Sequence, residues 1–315
     1  MTPAPPPALV IAGPTASGKS ALALIAAEAF GGTVINADSM QVYAPLRILT
    51  ARPCAADEAR VPHRLYGIAE PDAPCSAAWW RDRAKAEMEA AWAENRVPII
   101  TGGTGFYIDA LTRGLSPIPE IPADIRDEAR ALLARLGNDD FHARLAARDP
   151  VMAGRLAPGN SQRVVRAWEV LEATGRSLAD WQTLPREGAV SARFLSLVLL
   201  PQREALFAAC DGRFHAMIAA GALDEARAVL ARGLDRGLPM MKALGLPPLL
   251  DHLEGRLTLD AAIDRACRDT SAYAKRQVTW FRHQMGDAVF INEQFSESVS
   301  HKTLPKIRDF LLTAQ

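Results

Sequence analysis

The apolar positions of this chain alternate between two rhythms. Short, nearly unbroken apolar runs occur at Leu9-Val10-Ile11-Ala12, Thr33-Val34-Ile35-Asn36-Ala37, Val97-Pro98-Ile99-Ile100 and Phe194-Leu195-Ser196-Leu197-Val198-Leu199-Leu200. Such runs read as strands buried on both faces. Between them lie stretches of helical character: Lys19 to Phe30, Ser76 to Asn95 with Ser76 as N-cap, and Leu259 to Gln284. Arg203 to Arg232 reads as a helix pair or one long helix, Val289-Phe290-Ile291 as a last strand, and Ser298 to Thr313 as a closing helix. Residues 44 to 75, with Pro45, Pro53, Pro62, Pro71 and Pro74, read as irregular. Strands alternating with helices predict an α/β protein with a parallel sheet flanked by helices.

The rhythm changes between residues 114 and 190. Pro117, Pro119 and Pro122 form a hinge-like entry, and only helices follow, at Ala123 to Leu136, Asp140 to Arg148 and Ser161 to Thr174. This predicts an all-helical domain at 114–190 inserted into an α/β core of 9–113 and 191–315. Residues 1–8 are proline-rich, lack the basic and apolar regions of a signal peptide, and read as a flexible lead-in.

Composition narrows the picture. Lys+Arg and Asp+Glu are equal at 36 each, so a nucleic-acid partner needs a local basic patch. Cys54, Cys75, Cys210 and Cys267 are far apart, which indicates neither a zinc site nor a disulfide framework and fits a reducing compartment. No apolar run reaches membrane-spanning length, so no membrane partner is expected and the cytoplasm is the expected location.

The strongest chemical signal follows the first strand. Gly13-Pro14-Thr15-Ala16-Ser17-Gly18-Lys19-Ser20 has the G-x-x-x-x-G-K-[ST] spacing of a phosphate-binding loop (P-loop), between a strand and a helix. Glycines let backbone N–H groups turn toward phosphate oxygens, and the helix start adds its positive dipole end. Lys19 supplies a point charge, and the Ser20 hydroxyl suits a Mg²⁺ ligand.

Two further strand ends bear on the same place, because ligands of open α/β sheets gather at the carboxyl ends of the strands. One is Asp38-Ser39-Met40-Gln41-Val42-Tyr43, where Asp38 reads either as a helix cap or as a working carboxylate. The other is Thr101-Gly102-Gly103-Thr104-Gly105-Phe106-Tyr107, where an NTP-hydrolysing enzyme would carry a Mg²⁺-binding aspartate. Its absence argues against ordinary NTP hydrolysis. His63 in the irregular segment reads as a structural residue or a ligand contact. Arg163 and Arg166 share one helical face, and Lys275, Arg276, Arg282 and His283 interleave with aromatics. Both sets read either as solvated faces or as nucleic-acid contacts.

In order along the chain, the two glycine loops, Asp38 to Tyr43, Gln162-Arg163, Ala274-Lys275-Arg276-Gln277 and Thr279-Trp280-Phe281-Arg282 resemble the tRNA dimethylallyltransferase (IPP transferase) family over about residues 9 to 292. The resemblance implies a P-loop NTPase-like core and a prenyltransferase of bacterial type that modifies tRNA. It implies transfer of a dimethylallyl group from dimethylallyl diphosphate to N6 of adenine 37, beside the anticodon, with Mg²⁺ as cofactor. Asp38 then matches the general base, and Thr104 and Arg213 match catalytic partners. Residues 13 to 20 bind the diphosphate, or ATP in the loop's usual nucleotide-binding role. Asp38, Ser39, Met40, Gln41, Thr104, Arg126, Gln162, Arg163, Val164, Val165 and Arg166 match tRNA contacts at the anticodon stem-loop, joined by Lys275 and Arg276. A monomer is expected. This chain departs from the family's pattern at Leu49, at Gly245-Leu246-Pro247 and at Ser271-Ala272.

Two other classes share parts of this pattern. A nucleoside or small-molecule kinase would use Lys19 and Asp38 equally well, but leaves the basic segments without a purpose. A non-catalytic nucleotide-gated RNA-binding protein explains the basic segments, but not an acid and two glycine loops converging on one site.

Overall fold

The computed structural model describes residues 4–313. Six strands form one parallel sheet: β1 (Pro7–Ala12), β2 (Gly32–Asn36), β3 (His63–Arg64), β4 (Val97–Gly102), β5 (Arg193–Leu199) and β6 (Val289–Ile291). Their spatial order is β3-β2-β4-β1-β5-β6. Strand β1 lies in the middle, with Leu9 opposite both Ile99 and Leu195. Residues Ala8 to Ala12 have no exposed surface, which is why β1 reads as an unbroken apolar run.

Side chains alternate across this sheet. Leu9 and Ile11 pack with Leu22, Ala23, Ala26 and Ile307, from helices Lys19–Phe30 and Glu297–Leu312. Val10 and Ala12 share the opposite core with Trp80, Ala84 and Met88 of helix Ala77–Ala93 and with Phe281 of helix Leu259–Gln284. Trp80 stacks on Tyr107 at 4.7 Å, and its indole N–H donates to Asn36 O.

The topology fixes where a ligand would sit. From β1 the chain goes to β2 on one side, and from β4 it goes to β5 on the other side of β1. The direction reverses between β1 and β4, so the loops after these strands flank the crevice where open α/β sheets bind ligands.

The structure refines four expectations. Arg193 N donates to Pro6 O and β1 begins at Pro7, so the ordered chain starts earlier than the expected lead-in of 1–8 allows; Met1–Pro3 lie outside the described residues. The segment 44–75 contains helix Ala55–Arg60 and the two-residue strand β3, both too short to leave a periodic signal among prolines. Arg203 to Arg232 is a pair of helices, Arg203–Ala219 and Ala222–Ala231, parted by Gly221 at φ 100°. Helix Leu246–Leu253, with Pro247 and Pro248 near its start, was not among the expected elements. They stand in its first turn, where the missing N–H groups have no intrahelical partner to lose.

Among the described residues the chain separates into two compact units, one running up to Thr112 and on from Val190, the other Arg113–Ala189. The second unit is helical. Helix Ala123–Arg148 is kinked at Gly137 (φ 76°) and packs beside Ser161–Thr174 around Phe141, Leu145, Val164, Trp168 and Val170. Its two ends are tied by reciprocal hydrogen bonds between the backbones of Leu115 and Glu187.

Candidate functional site

The loop after β1 takes the form its glycines permit. Gly18 stands at φ 86° and caps the helix that begins at Lys19, and Ala16 adopts φ 62°. Within residues 15 to 20, two amides are already engaged: Thr15 N donates to Gln277 Oε1 at 2.9 Å, and Ser17 N to Pro14 O. The backbone N–H groups of the loop left open to an anion are therefore those of Ala16, Gly18, Lys19 and Ser20, the last two in the open first turn of the helix. Thr15 and Ser17 are corrections to the expected cradle. The Ser17 side chain is fully buried.

Two cations flank this loop. Lys19 Nζ donates to Pro14 O at 3.2 Å, and a guanidinium nitrogen of Arg213 donates to Thr15 Oγ1. Burial lowers the Lys19 ammonium to about 8, with the Asp38 carboxylate pulling the other way and Arg213 adding to the fall. Burial also lowers Arg213, against the fields of Cys210 and Asp38. Lys19, Arg213 and Asp38 thus lie within one another's electrostatic reach; strand-end placement pointed to the first and last, whereas Arg213, on helix Arg203–Ala219, was expected there only from the family resemblance.

Asp38 is held by its surroundings. Its N–H donates to Asn36 Oδ1 at 2.8 Å, while Asn36 Nδ2 donates to Asp38 O and Leu65 O. Asp38 Oδ1 accepts Met40 N at 2.9 Å. This bond caps a turn rather than the helix expected after Asp38, and it uses one of the two carboxylate oxygens. Burial raises the hydroxyls of Tyr66 and Tyr273, and the negative charge of Asp38 adds to both shifts. Both phenols thus lie within the field of the carboxylate.

The loop after β4 meets the same place. Thr104 Oγ1 accepts Ser39 N at 2.9 Å and lies 3.2 Å from Ser39 Oγ, and Thr104 N donates to Ala37 O. Gly102 is obligatory by space, since a Cβ there would come within 2.1 Å of Ala37 O. The Thr101 hydroxyl, standing where a hydrolase would carry its aspartate, donates to Ile11 O inside the sheet.

Gln277 joins the two loops. Its amide accepts from Thr15 N and donates to Gly103 O at 2.8 Å from a nearly fully buried position. It lies on helix Leu259–Gln284, whose buried stripe is Ala262, Ala266, Thr270, Ala274, Gln277 and Phe281. The sequence singled out Gln277 within a motif but gave it no role. Lys275 and Arg276 on the same helix are exposed, with Arg276 stacked over Tyr273. Glu225 was missed altogether. Its carboxylate accepts three consecutive amides, Arg47 N, Ile48 N and Leu49 N, and so anchors the segment after Tyr43. Gln41 hydrogen-bonds Thr50 O and Ala51 O in that segment. His63 Nδ1 is paired with Val61 O, which matches its structural reading.

In the second unit, Gln162 and Arg163 are exposed, and Arg126 is half-buried. Val164 and Val165 belong to that unit's core, so their side chains are not available to RNA, a correction that follows from their apolar nature. Arg166 pairs with Glu169 at 3.3 Å on its own helix.

A divalent cation can be tested against these groups. Among the described residues no cluster of three His, Cys, Asp or Glu side chains exists to cage a metal. Ser20 offers an exposed hydroxyl at the loop's helix end. One hydroxyl and no cage fits Mg²⁺, which keeps several waters and takes its other ligands from substrate phosphates.

The family model described as IPP transferase matches residues 41–284, which include Thr104, Arg213 and Gln277. The tRNA dimethylallyltransferase of Paramagnetospirillum magneticum is 59% identical over 314 residues, covering 100% of both chains. That of Rhodospirillum centenum is 58% identical over 91% of each chain. A crystal structure of a tRNA isopentenylpyrophosphate transferase from Bacillus halodurans superimposes with a TM-score of 0.69 at 30% identity, over 98% of this chain and 96% of that one. Similarity of this extent, reaching from the phosphate loop through the Gln277 helix, means that the chain belongs to the IPP transferase family.

Proposed function

We propose that this protein transfers a dimethylallyl group from dimethylallyl diphosphate to N6 of adenine 37, beside the anticodon of tRNA, releasing diphosphate. The observation that carries the reading is the grouping of one carboxylate, Asp38, with the Lys19 and Arg213 cations at the carboxyl edge of the sheet. That grouping suits a reaction in which a proton leaves one partner while negative charge builds on the other.

In this reading the N6 nitrogen attacks the allylic C1, the C–O bond to diphosphate breaks, and the N6 proton passes to the free oxygen of Asp38. The amine is a weak nucleophile because its lone pair is delocalised into the ring, so a base must act as the new bond forms. The amides of Ala16, Gly18, Lys19 and Ser20, with the Lys19 and Arg213 side chains, receive the developing diphosphate charge. One such preorganised donor is typically worth about 3 kcal/mol. The residues present fit Mg²⁺ held by Ser20 and diphosphate oxygens, where it would supply further charge neutralisation. Thr104 fixes the Ser39 backbone next to the base. The target adenine must leave its stack to reach a site at a sheet edge. Ser39, Met40, Gln41, Lys275, Arg276, Arg126, Gln162 and Arg163 serve as tRNA contacts, mainly to phosphates. The protein acts as a monomer in the cytoplasm; among the described residues no helix is long and apolar enough to cross a membrane.

The test is transfer of labelled dimethylallyl from its diphosphate to bulk tRNA, with Mg²⁺ and then with EDTA. Label entering tRNA only with Mg²⁺ is the expected result. Its absence in folded protein would overturn the reading.

A further inference from the structure

A loop that turns its amides toward an anion turns intervening carbonyls away from it, and those carbonyls need donors of their own. In this protein the donors come from a segment immediately after β6. Gln294 Nε2 donates to Ala16 O at 2.7 Å, and Phe295 N donates to Ser17 O at 3.3 Å. The Phe295 side chain closes on Gly18, where a Cβ would come within 2.2 Å of Phe295 Cβ. Two consecutive residues thus hold three consecutive residues of the phosphate loop.

The segment is itself fixed at both ends. Leu200 N donates to Ile291 O at the end of β6, and Ser296 caps helix Glu297–Leu312 through Val299 N. The loop needs such support. Ala16 occupies a left-handed conformation (φ 62°) that costs a non-glycine residue energy, and the buried Ser17 hydroxyl makes no hydrogen bond of its own. Residues 292–296 also fall outside the segment 41–284 that the family model matches.

We propose that Asn292–Ser296 is a strap that holds the phosphate loop in its anion-binding form, with Gln294 as a positioning residue for diphosphate. The inference rests on the prenyl-transfer reading only for the identity of the substrate, since any diphosphate on this loop would feel the strap. Because a peptide is planar, the Gln294 bond to Ala16 O holds the Ser17 amide on Pro14 O and so fixes the turn of the loop, while the Phe295 N bond to Ser17 O aims the Gly18 amide into the cradle.

The experiment compares the wild type with Gln294→Ala and with Gln294→Glu, which keeps the shape but removes the donor. Binding of inorganic diphosphate is measured by calorimetry, alongside KM for each substrate and the melting temperature. One neutral hydrogen bond corresponds to weakening of about fivefold. Gln294→Ala should therefore bind diphosphate about fivefold less tightly, and Gln294→Glu more weakly still, because a carboxylate then faces Ala16 O. KM for the prenyl diphosphate should rise in step, with KM for tRNA and the melting temperature unchanged. Wild-type diphosphate affinity in both variants would overturn the proposal, as would a parallel rise in both KM values with a fall in melting temperature. A wild type that binds diphosphate but transfers no prenyl group would sink the functional reading and leave the strap standing.

Discussion

Thr15 and Gln277, 262 residues apart in sequence, are joined by a 2.9 Å hydrogen bond from the Thr15 N–H to the Gln277 side chain, whose other end donates to Gly103 O. One buried amide therefore sets the spacing between the loops after β1 and β4. Replacing Gln277 with Leu keeps the volume but leaves a donor and an acceptor unpaired. Each unsatisfied buried group costs about 1–3 kcal/mol. The variant should melt several degrees lower, and its KM for prenyl diphosphate should rise about tenfold. An unchanged melting temperature and KM together would remove Gln277 from the positioning set.

Asp38→Asn preserves shape and still accepts Met40 N through its amide oxygen, but offers no base. Transfer should fall at least a hundredfold, within the range of about 10²–10⁴ for loss of a general base. Binding of diphosphate and of tRNA should stay within about twofold. Single-turnover transfer, with separate binding titrations, checks both halves; full activity in the variant would end the base assignment.

The Lys19 ammonium gives diphosphate binding a pH dependence with a definite sign. Burial brings its deprotonation down to about 8 in the ligand-free protein. The anion binds the charged form, so affinity is greatest below that value and falls as pH rises through it, by up to about tenfold per unit. Calorimetry with inorganic diphosphate from pH 6.5 to 9.5 should show this. Lys19→Met serves as the control that retains only the ligand's own titration. Parallel curves for wild type and Lys19→Met would contradict the assignment.

Arg163 and Arg166 lie one turn apart but should differ in weight. Arg163 is exposed, whereas Arg166 is held by Glu169. Arg163→Ala should weaken tRNA binding and reduce the slope of log affinity against log salt by about one. Arg166→Ala should change the slope less. Equal slopes for wild type and Arg163→Ala would take that residue off the phosphate-contact list.

Glu225 offers a test of loop anchoring. Its carboxylate accepts the amides of residues 47 to 49, and hydrogen bonds to a charged group contribute about 1.5–3 kcal/mol. Glu225→Ala should lower unfolding free energy by about that amount in a urea titration. A loss below about 0.5 kcal/mol would show that the segment holds itself.

The features legible in the sequence were those with a local signal. Strands β1, β2, β4 and β5 show as apolar runs, the phosphate loop by its spacing, and the helix pair 203–231 only as far as Gly221 allowed two readings. That Asp38 and Thr104 meet was legible because strand ends are read one at a time and then placed on one edge by topology. Gln277, Glu225 and Gln294 were not assigned roles, because a polar side chain that satisfies a distant backbone group looks like any surface residue until the chain is folded. Val164 and Val165 were mistaken for contacts because motif matching ignores which side of a helix faces inward. Helix 246–253 is only eight residues long and carries two prolines in its first turn, so it leaves little periodic signal.

The order in which these parts are made has its own consequence. A ribosome makes the phosphate loop nearly two hundred residues or more before Arg213, Gln277 and Gln294, which hold that loop. A nascent or prematurely terminated chain therefore carries the loop without the groups that brace it. The loop reaches its braced form only once translation has passed Gln294.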